Sequence, residues 1–177
     1  MKGLKRILCA LLAALCVLSF TACEDNGKTA DTDDKESKNS KMDKASYYFE
    51  YGGTKVALGA DADDIIEALG EYKDKKEIGD CGGLGAQVKY SYASFDVYVL
   101  ESKTDGNIID QITFRDDIVE TPEGVCIGMS MSDAKAKLGE PTGSTDSSLE
   151  YLDGNKLLKL SIADGKISGI DYMTVSE

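Results

Sequence analysis

The chain has 177 residues, with 20 Lys and Arg against 32 Asp and Glu, a net charge of −12, and neither His nor Trp. Without an imidazole, a His-based catalytic triad, a His-ligated zinc or haem and a histidine pH switch are all excluded. The acidic balance also disfavours nucleic acid as a partner, because phosphate binding requires a basic surface.

The N-terminal segment has the pattern of a bacterial lipoprotein signal peptide. Three positive charges precede an apolar run over 7–20, which is shorter than the roughly 20 residues of a membrane-spanning helix. The run ends in LSFTAC, which resembles a lipobox, with Phe20 where Leu is usual. We predict that residues 1–22 are a signal peptide and that Cys23 is lipidated. Cleavage at the same bond without lipidation is the alternative.

The segment after the predicted cleavage site is polar and charged almost throughout. Only three residues of 24–46 are apolar, so the segment buries too little apolar surface to offset the entropy of folding. We expect 23–46 to comprise the lipidated cysteine and a disordered tether. This tether would hold a single globular domain, 47–177, on the extracytoplasmic side of a bacterial cell membrane.

An internal repeat is visible at an offset of 69 positions. The matching segments are LGADADD (58–64) with IGMSMSD (127–133) and LGE (69–71) with LGE (138–140). Asp61 and Ser130 fall at helix N-cap positions, where a side-chain oxygen accepts an unpaired backbone N–H. Gly70 and Gly139 stand where helices end. Each repeat is therefore predicted to begin with a helix of about two turns.

Segments with β-branched or aromatic residues at period two follow each helix. The predicted strands are 72–78, 88–92, 95–101 and 108–116 in the first repeat, and 148–152, 156–163 and 166–173 in the second. A further hairpin is predicted over 48–51 and 55–58. We thus expect an α+β fold of two tandem repeats, about 47–120 and 121–177, each a short capped helix followed by an antiparallel β-meander.

This order of elements resembles the tandem repeats of the β-lactamase inhibitor protein family and the related SmpA/OmlA-type lipoprotein modules, over roughly 56–173. The segments DCGGLG (80–85), YSY (90–92) and TPEG (121–124), with Phe95, are also similar to a recurrent set of small Gram-positive lipoproteins. The resemblance implies a binding or scaffolding module and not an enzyme. No inhibitory residues carry over, because no contact-loop motif matches.

Two cysteines remain in the predicted domain, Cys81 and Cys126. A disulfide between them would close a loop of about 45 residues and contribute about 4 kcal/mol; two separate thiols are the equal alternative. A nucleophilic Cys81 is disfavoured, since the chain has no His to activate it.

The remaining motifs predict no cofactor and no metal. The glycines of 82–85 are not followed by a helix, so they indicate a bulged loop and not a phosphate site. Residues 61–64 lack the pattern of a calcium loop. The acidic run of Asp116, Asp117, Glu120 and Glu123 is best interpreted as a solvated edge.

Tyrosines on the predicted strands suggest a binding surface, because they bring a large contact area at low rotamer cost. Strand propensity alone is the alternative. The residues assigned to this surface are Tyr90, Tyr92, Tyr98, Gly82, Gly83 and Leu84. We expect a membrane-anchored lipoprotein that acts as a protein-binding or inhibitor-like module for a basic or sugar-bearing envelope partner. The alternative is a carboxylate-dependent cell-envelope enzyme or a glycan-binding protein.

Overall fold

A computed structural model describes residues 46–80, 85–102 and 106–175. The predicted signal peptide, the lipidation site Cys23 and nearly all of the predicted tether lie outside the described residues, as do Cys81 and residues 82–84. No helix in the described ranges is long and apolar enough to cross a membrane.

The described chain forms two short helices and ten strands. The helices are α1 (Ala62–Leu69) and α2 (Met131–Leu138), and the strands are β1 (Tyr48–Tyr51), β2 (Thr54–Ala57), β3 (Asp74–Asp80), β4 (Gly85–Ser91), β5 (Phe95–Ser102), β6 (Gly106–Phe114), β7 (Gly143–Ser144), β8 (Ser148–Asp153), β9 (Lys156–Ala163) and β10 (Lys166–Thr174).

Eight of these strands form one antiparallel sheet in the order β3-β4-β5-β6-β10-β9-β8-β7. The pairing of β6 with β10, which places Ile170 opposite Phe114 and Tyr172 opposite Ile112, makes the sheet continuous. Strands β3 and β7 are its edges, and β1 and β2 form a separate hairpin.

The predicted fold class is wrong. We expected an α+β fold of two tandem repeats, each a capped helix followed by a meander. The described residues are instead mostly β, with 54% in strands and two helices of eight residues each. The physical reason lies in the pairing of β6 with β10. Ile112, Phe114, Ile170 and Tyr172 are all buried in one core cluster, so hydrophobic burial draws the strands of both predicted units into a single sheet.

Both helices begin at the predicted N-cap residues. The Asp61 side chain accepts a hydrogen bond from the backbone N–H of Asp63 at 3.0 Å, and Ser130 Oγ accepts one from that of Asp133 at 3.1 Å. These bonds satisfy donors that have no partner within a helix. The glycine predicted at the end of each helix is also in place, with a positive φ.

The core lies on one side of the sheet. The hairpin supplies Phe49 and Val56, and the helices supply Ala62, Ala134 and Leu138. These side chains pack against buried residues of the central strands: Phe95, Val97, Val99, Ile109, Ile112, Leu158, Leu160, Ile167 and Ile170. Because side chains alternate along a strand, the intervening residues point to the opposite side of the sheet.

Tyrosines in and against this core should make the protein sensitive to alkali. Burial is the main cause that raises the pKa of Tyr47, Tyr92 and Tyr151 from 10.0 to about 12. Above pH 10 the unfolded chain therefore binds fewer protons than the folded one. The free energy of unfolding should be fully retained below pH 10 and fall as the pH rises towards about 12.

Urea unfolding measured across this range checks the prediction. Tyr151→Phe removes one of the tyrosines whose pKa is raised by burial, so its free energy of unfolding should fall less steeply with pH than that of the parent. An equally steep fall in Tyr151→Phe would contradict the assignment.

Candidate functional site

The side of the sheet opposite the core is the candidate binding surface, and we call it the outer face. Its central members, taken from alternate positions of paired strands, are Lys89, Asp96, Tyr98, Gln111, Thr113, Asp171, Met173, Leu157, Lys159 and Glu150. Within the described ranges, the helices and the hairpin contribute their buried residues to the core and not to this face. In the part of the chain that the structure describes, the outer face is therefore open to a partner.

A row of polar side chains crosses the outer face. The strand registers place Asp96 opposite Thr113, Thr113 opposite Asp171, Asp171 opposite Lys159, and Lys159 opposite Glu150. The Thr113 hydroxyl donates a hydrogen bond to Asp171 Oδ1 at 2.7 Å. Lys159 Nζ lies 3.6 Å from Glu150 Oε1. The row thus has one carboxylate on each side of Thr113 and an ion pair at its far end.

Asp96 is the one buried carboxylate of the described chain, 6% exposed. Arg115 Nη1 lies 3.5 Å from Asp96 Oδ1, and that oxygen accepts no hydrogen bond from the described residues. Arg115 Nη2 donates instead to the backbone carbonyls of Tyr92 and Ala93. The guanidinium is therefore shared, and the negative charge of Asp96 is only partly compensated.

Tyr98 is half-buried beside this row. Burial raises the pKa of its hydroxyl, Asp96 and Asp171 raise it further, and a hydrogen bond with Thr113 opposes the shift. The phenol therefore stays neutral at physiological pH. It presents an aromatic ring and a hydroxyl within electrostatic reach of two carboxylates, a combination that suits the cationic and hydrogen-bond-donating groups of a protein surface.

The structure separates the three tyrosines predicted for the binding surface. Tyr90 and Tyr92 are 9% and 4% exposed and belong to the core cluster, whereas Tyr98 lies on the outer face. The register explains the difference, since Tyr90 pairs with Val97 and Tyr98 pairs with Lys89. Tyr90 lies near the end of β4, and Tyr92 directly follows that strand.

Of the other predicted site residues, the structure describes only Cys126. Gly82, Gly83 and Leu84 lie outside the described residues, as does Cys81. Cys126 is half-buried and is a free cysteine.

Sequence reasoning missed the polar row. Asp96 stands between Phe95 and Val97, and Asp171 stands between Ile170 and Tyr172. A polar residue flanked by two buried apolar ones at period two is the signal that identifies an outward position on a half-buried strand.

A cavity of about 350 Å³ lies apart from this row, beside the hairpin. Its lining includes Tyr48, Glu50, Glu120, Thr121 and Pro122. The carboxylates of Glu50 and Glu120 are on exposed residues, whereas Thr121 is buried. The cavity is therefore acidic at its surface.

No family model, no curated protein and no solved structure matches this chain.

Proposed function

We propose that the protein is a lipid-anchored, extracytoplasmic binding module that holds a basic protein partner on the outer face of its sheet. The observation that carries the proposal is the row of Asp96, Thr113 and Asp171 at the centre of an open sheet face. The anchor is supported by the signal pattern of 1–22 and the lipobox cysteine Cys23. The resemblance to the β-lactamase inhibitor protein family remains a prediction.

The shape of the surface favours a protein over a small ligand. Small molecules bind in concave cavities, whereas the outer face is a broad sheet surface built from eight strands. Tyr98 is a half-buried aromatic residue. On the same face, Met173 lies two strands away from it and Leu157 three. Aromatic residues of this kind, surrounded by polar groups, are typical anchors of protein interfaces.

The charge favours a basic partner. The chain carries a net charge of −12, which attracts positively charged proteins at long range. At short range, Asp96 shares its cation with two carbonyls, and Asp171 is bound by the neutral hydroxyl of Thr113. A lysine or arginine of the partner would pair directly with the half-buried Asp171, and the buried Asp96 would attract it at longer range.

Site-specific cross-linking in the membrane tests the proposal. A photoreactive amino acid is placed at Tyr98 or Met173 of the full-length chain, and at Glu67 as the matched position, since Glu67 is exposed on α1. We expect both outer-face positions to label the same protein, with a basic surface, and Glu67 not to label it. Asp171→Asn should weaken the purified complex by about tenfold or more, because it removes a charge from the contact.

Three outcomes would contradict this function. Equal labelling from Glu67 would show that contact is not confined to the outer face, and an unchanged affinity in Asp171→Asn would remove the polar row from the interface. Labelling of no protein by a folded chain would favour the alternatives, a carboxylate-dependent envelope enzyme or a glycan-binding protein.

A further inference from the structure

We propose that the outer face receives one lysine side chain of the partner, at a site built around Thr113 from Tyr98, Gln111, Asp171 and Met173. Thr113 is the positioning residue of this site, because its hydroxyl holds the groups that would contact the lysine. The proposal rests on the proposed function and adds to it the residue of the partner that is recognised.

Paired positions on three neighbouring strands bring the site together. Tyr98 of β5 lies opposite Gln111 of β6, and Gln111 lies opposite Met173 of β10. Thr113, two residues further along β6, lies opposite Asp171. Directly opposite residues on one face of a sheet have Cβ atoms about 5 Å apart, and diagonal ones lie about 7 to 8 Å apart, within reach of long side chains. The five side chains are therefore neighbours, and all belong to half-buried residues.

The hydroxyl of Thr113 connects side chains of all three strands. It donates its single proton to Asp171 Oδ1 at 2.7 Å and accepts a hydrogen bond from Gln111 Nε2 at 3.2 Å. Burial raises the pKa of Tyr98, and a hydrogen bond with Thr113 opposes that shift. One hydroxyl thus orients a carboxylate, an amide and a phenol.

The same bonds leave oxygen atoms that can accept from a partner. Within the described ranges, neither Asp171 Oδ2 nor Gln111 Oε1 takes part in a hydrogen bond. The hydroxyl oxygen of Tyr98 is an acceptor as well. Three acceptors from three strands match an ammonium group, which has three donors and no acceptor.

The charge around Thr113 is negative and only partly compensated. Asp96 lies opposite Thr113 on its other side. It is 6% exposed, and its Oδ1 accepts no hydrogen bond from the described residues. Its cation, Arg115, also donates to two backbone carbonyls, and Asp171 has only a neutral donor. An ammonium group bound at Asp171 would therefore be attracted by both carboxylates.

The cations of the outer face itself leave this site open. Lys159 and Arg115 each pair with another carboxylate, at 3.6 Å and 3.5 Å. Lys89 lies opposite Tyr98, but in the part of the chain that the structure describes it forms neither an ion pair nor a cation–π contact. A lysine of the partner therefore does not have to displace a cation from Asp171.

The arrangement favours lysine over arginine. Arginine binds a carboxylate best through two parallel hydrogen bonds, one to each oxygen, but Thr113 already holds Oδ1 of Asp171. Lysine needs only a point contact, and it has a flexible apolar stem. Met173 and Tyr98 stand on either side of Gln111, so they offer apolar surface to that stem. The face of the Tyr98 ring also attracts an ammonium group.

Carbodiimide cross-linking of the full-length chain in the membrane tests the proposal. The reagent joins a carboxylate to a lysine amine in contact with it, with overall loss of water, and it does not link arginine. We expect an amide bond between Asp171 and one lysine of the protein that photo-cross-linking at Tyr98 identifies. Exchange of that lysine for arginine should weaken the purified complex by about tenfold.

Variants of Thr113 test its positioning role. Thr113→Val keeps the shape of the side chain and removes the hydroxyl, so it should weaken the complex by about tenfold. Thr113→Ser keeps the hydroxyl and should bind within about threefold of the parent. Tyrosine NMR supplies a second measurement: the pKa of Tyr98 should rise further in Thr113→Val and stay unchanged in Thr113→Ser, because a hydrogen bond that lowers it is lost only in the first. General loosening of the sheet would instead lower this pKa towards 10.0.

Several outcomes would overturn the proposal. One is an amide bond from Glu67, exposed on α1, that forms as readily as the bond from Asp171, since it would show diffuse attraction to an acidic protein. Others are an unchanged affinity in Thr113→Val or after exchange of the partner's lysine for arginine. If Tyr98 labels a partner to which Asp171 is not linked, the lysine site is wrong and the proposed function stands. If Tyr98 labels no protein, both are wrong.

Discussion

Phe95→Ala is expected to lower the free energy of unfolding by about 3 to 5 kcal/mol, the range observed when a buried aromatic ring is removed from a core. Phe95 is 0% exposed. Its ring centroid lies 4.8 Å from Phe49, 4.9 Å from Tyr51 and 4.8 Å from Tyr92. The substitution would therefore leave a cavity where the hairpin meets the sheet. The surrounding rings do not all belong to one element, so they cannot move together to fill it.

Urea unfolding of the parent and the variant measures this loss. Ile118→Ala is the matched control, because Ile118 is 74% exposed and its truncation should change the free energy of unfolding by less than about 0.5 kcal/mol. If Phe95→Ala costs less than about 1 kcal/mol, the hairpin does not pack on the sheet as described.

Gly85→Ala is expected to destabilise the start of β4 more than any loop glycine substitution. Gly85 has φ +145°, and a Cβ atom there would lie 2.2 Å from the carbonyl oxygen of Glu101 and 2.9 Å from its carbonyl carbon. Both atoms belong to the backbone of β5, so no side-chain rotation relieves the contact. The two strands would have to separate at this end.

Gly79→Ala is the matched control for this prediction. Gly79 has a similar φ of +139°, but no heavy atom lies within 4 Å of the position of its Cβ. Its substitution strains the backbone alone, at a cost of about 1 to 3 kcal/mol. Gly85→Ala should cost more, and amide hydrogen exchange should show faster opening at Gln87 and Leu100, which pair near the same end. Equal costs in the two variants would contradict the close contact.

The Gly85→Ala substitution should also affect the outer face. Gly85 pairs with Ser102, and the same register places Lys89 opposite Tyr98. A slip of one residue between β4 and β5 would exchange the faces of all side chains on the slipped strand. We therefore expect Gly85→Ala to reduce partner labelling from Tyr98 as well.

Local signals in the sequence predicted many single elements. The strands predicted over 48–51 and 156–163 have those bounds in the structure, and both helices begin after Asp61 and Ser130. These signals are local because period-two alternation and helix caps depend on residues close in sequence. Strand β7 was missed, since two residues carry no periodic pattern.

The sheet order could not be predicted in the same way. The pairing of β6 with β10 joins Ile112 to Tyr172, and no local pattern specifies a partner so far along the chain. Without that pair the strands group into two predicted units, which is why the expected fold class was wrong.

The candidate site could not be predicted from the sequence for the same reason. The sequence YSY at 90–92 shows that Tyr90 and Tyr92 share one side of a strand, but only the pairing of Tyr90 with Val97 shows that this side faces the core. Asp96 and Asp171 become visible as one cluster only when β5, β6 and β10 are known to be neighbours.

The edge strand β3 has a consequence for self-association. All of its residues except Gly79 are exposed, its charges include Lys75 and Lys76, and a bulge interrupts its register between Glu77 and Gly79. A second copy that tried to add its own strand here would have to strip water from ammonium groups and match an irregular ladder. At the opposite edge, β7 is only two residues long and offers almost no template. The sheet is thus protected from growing into amyloid-like stacks when many copies are concentrated together.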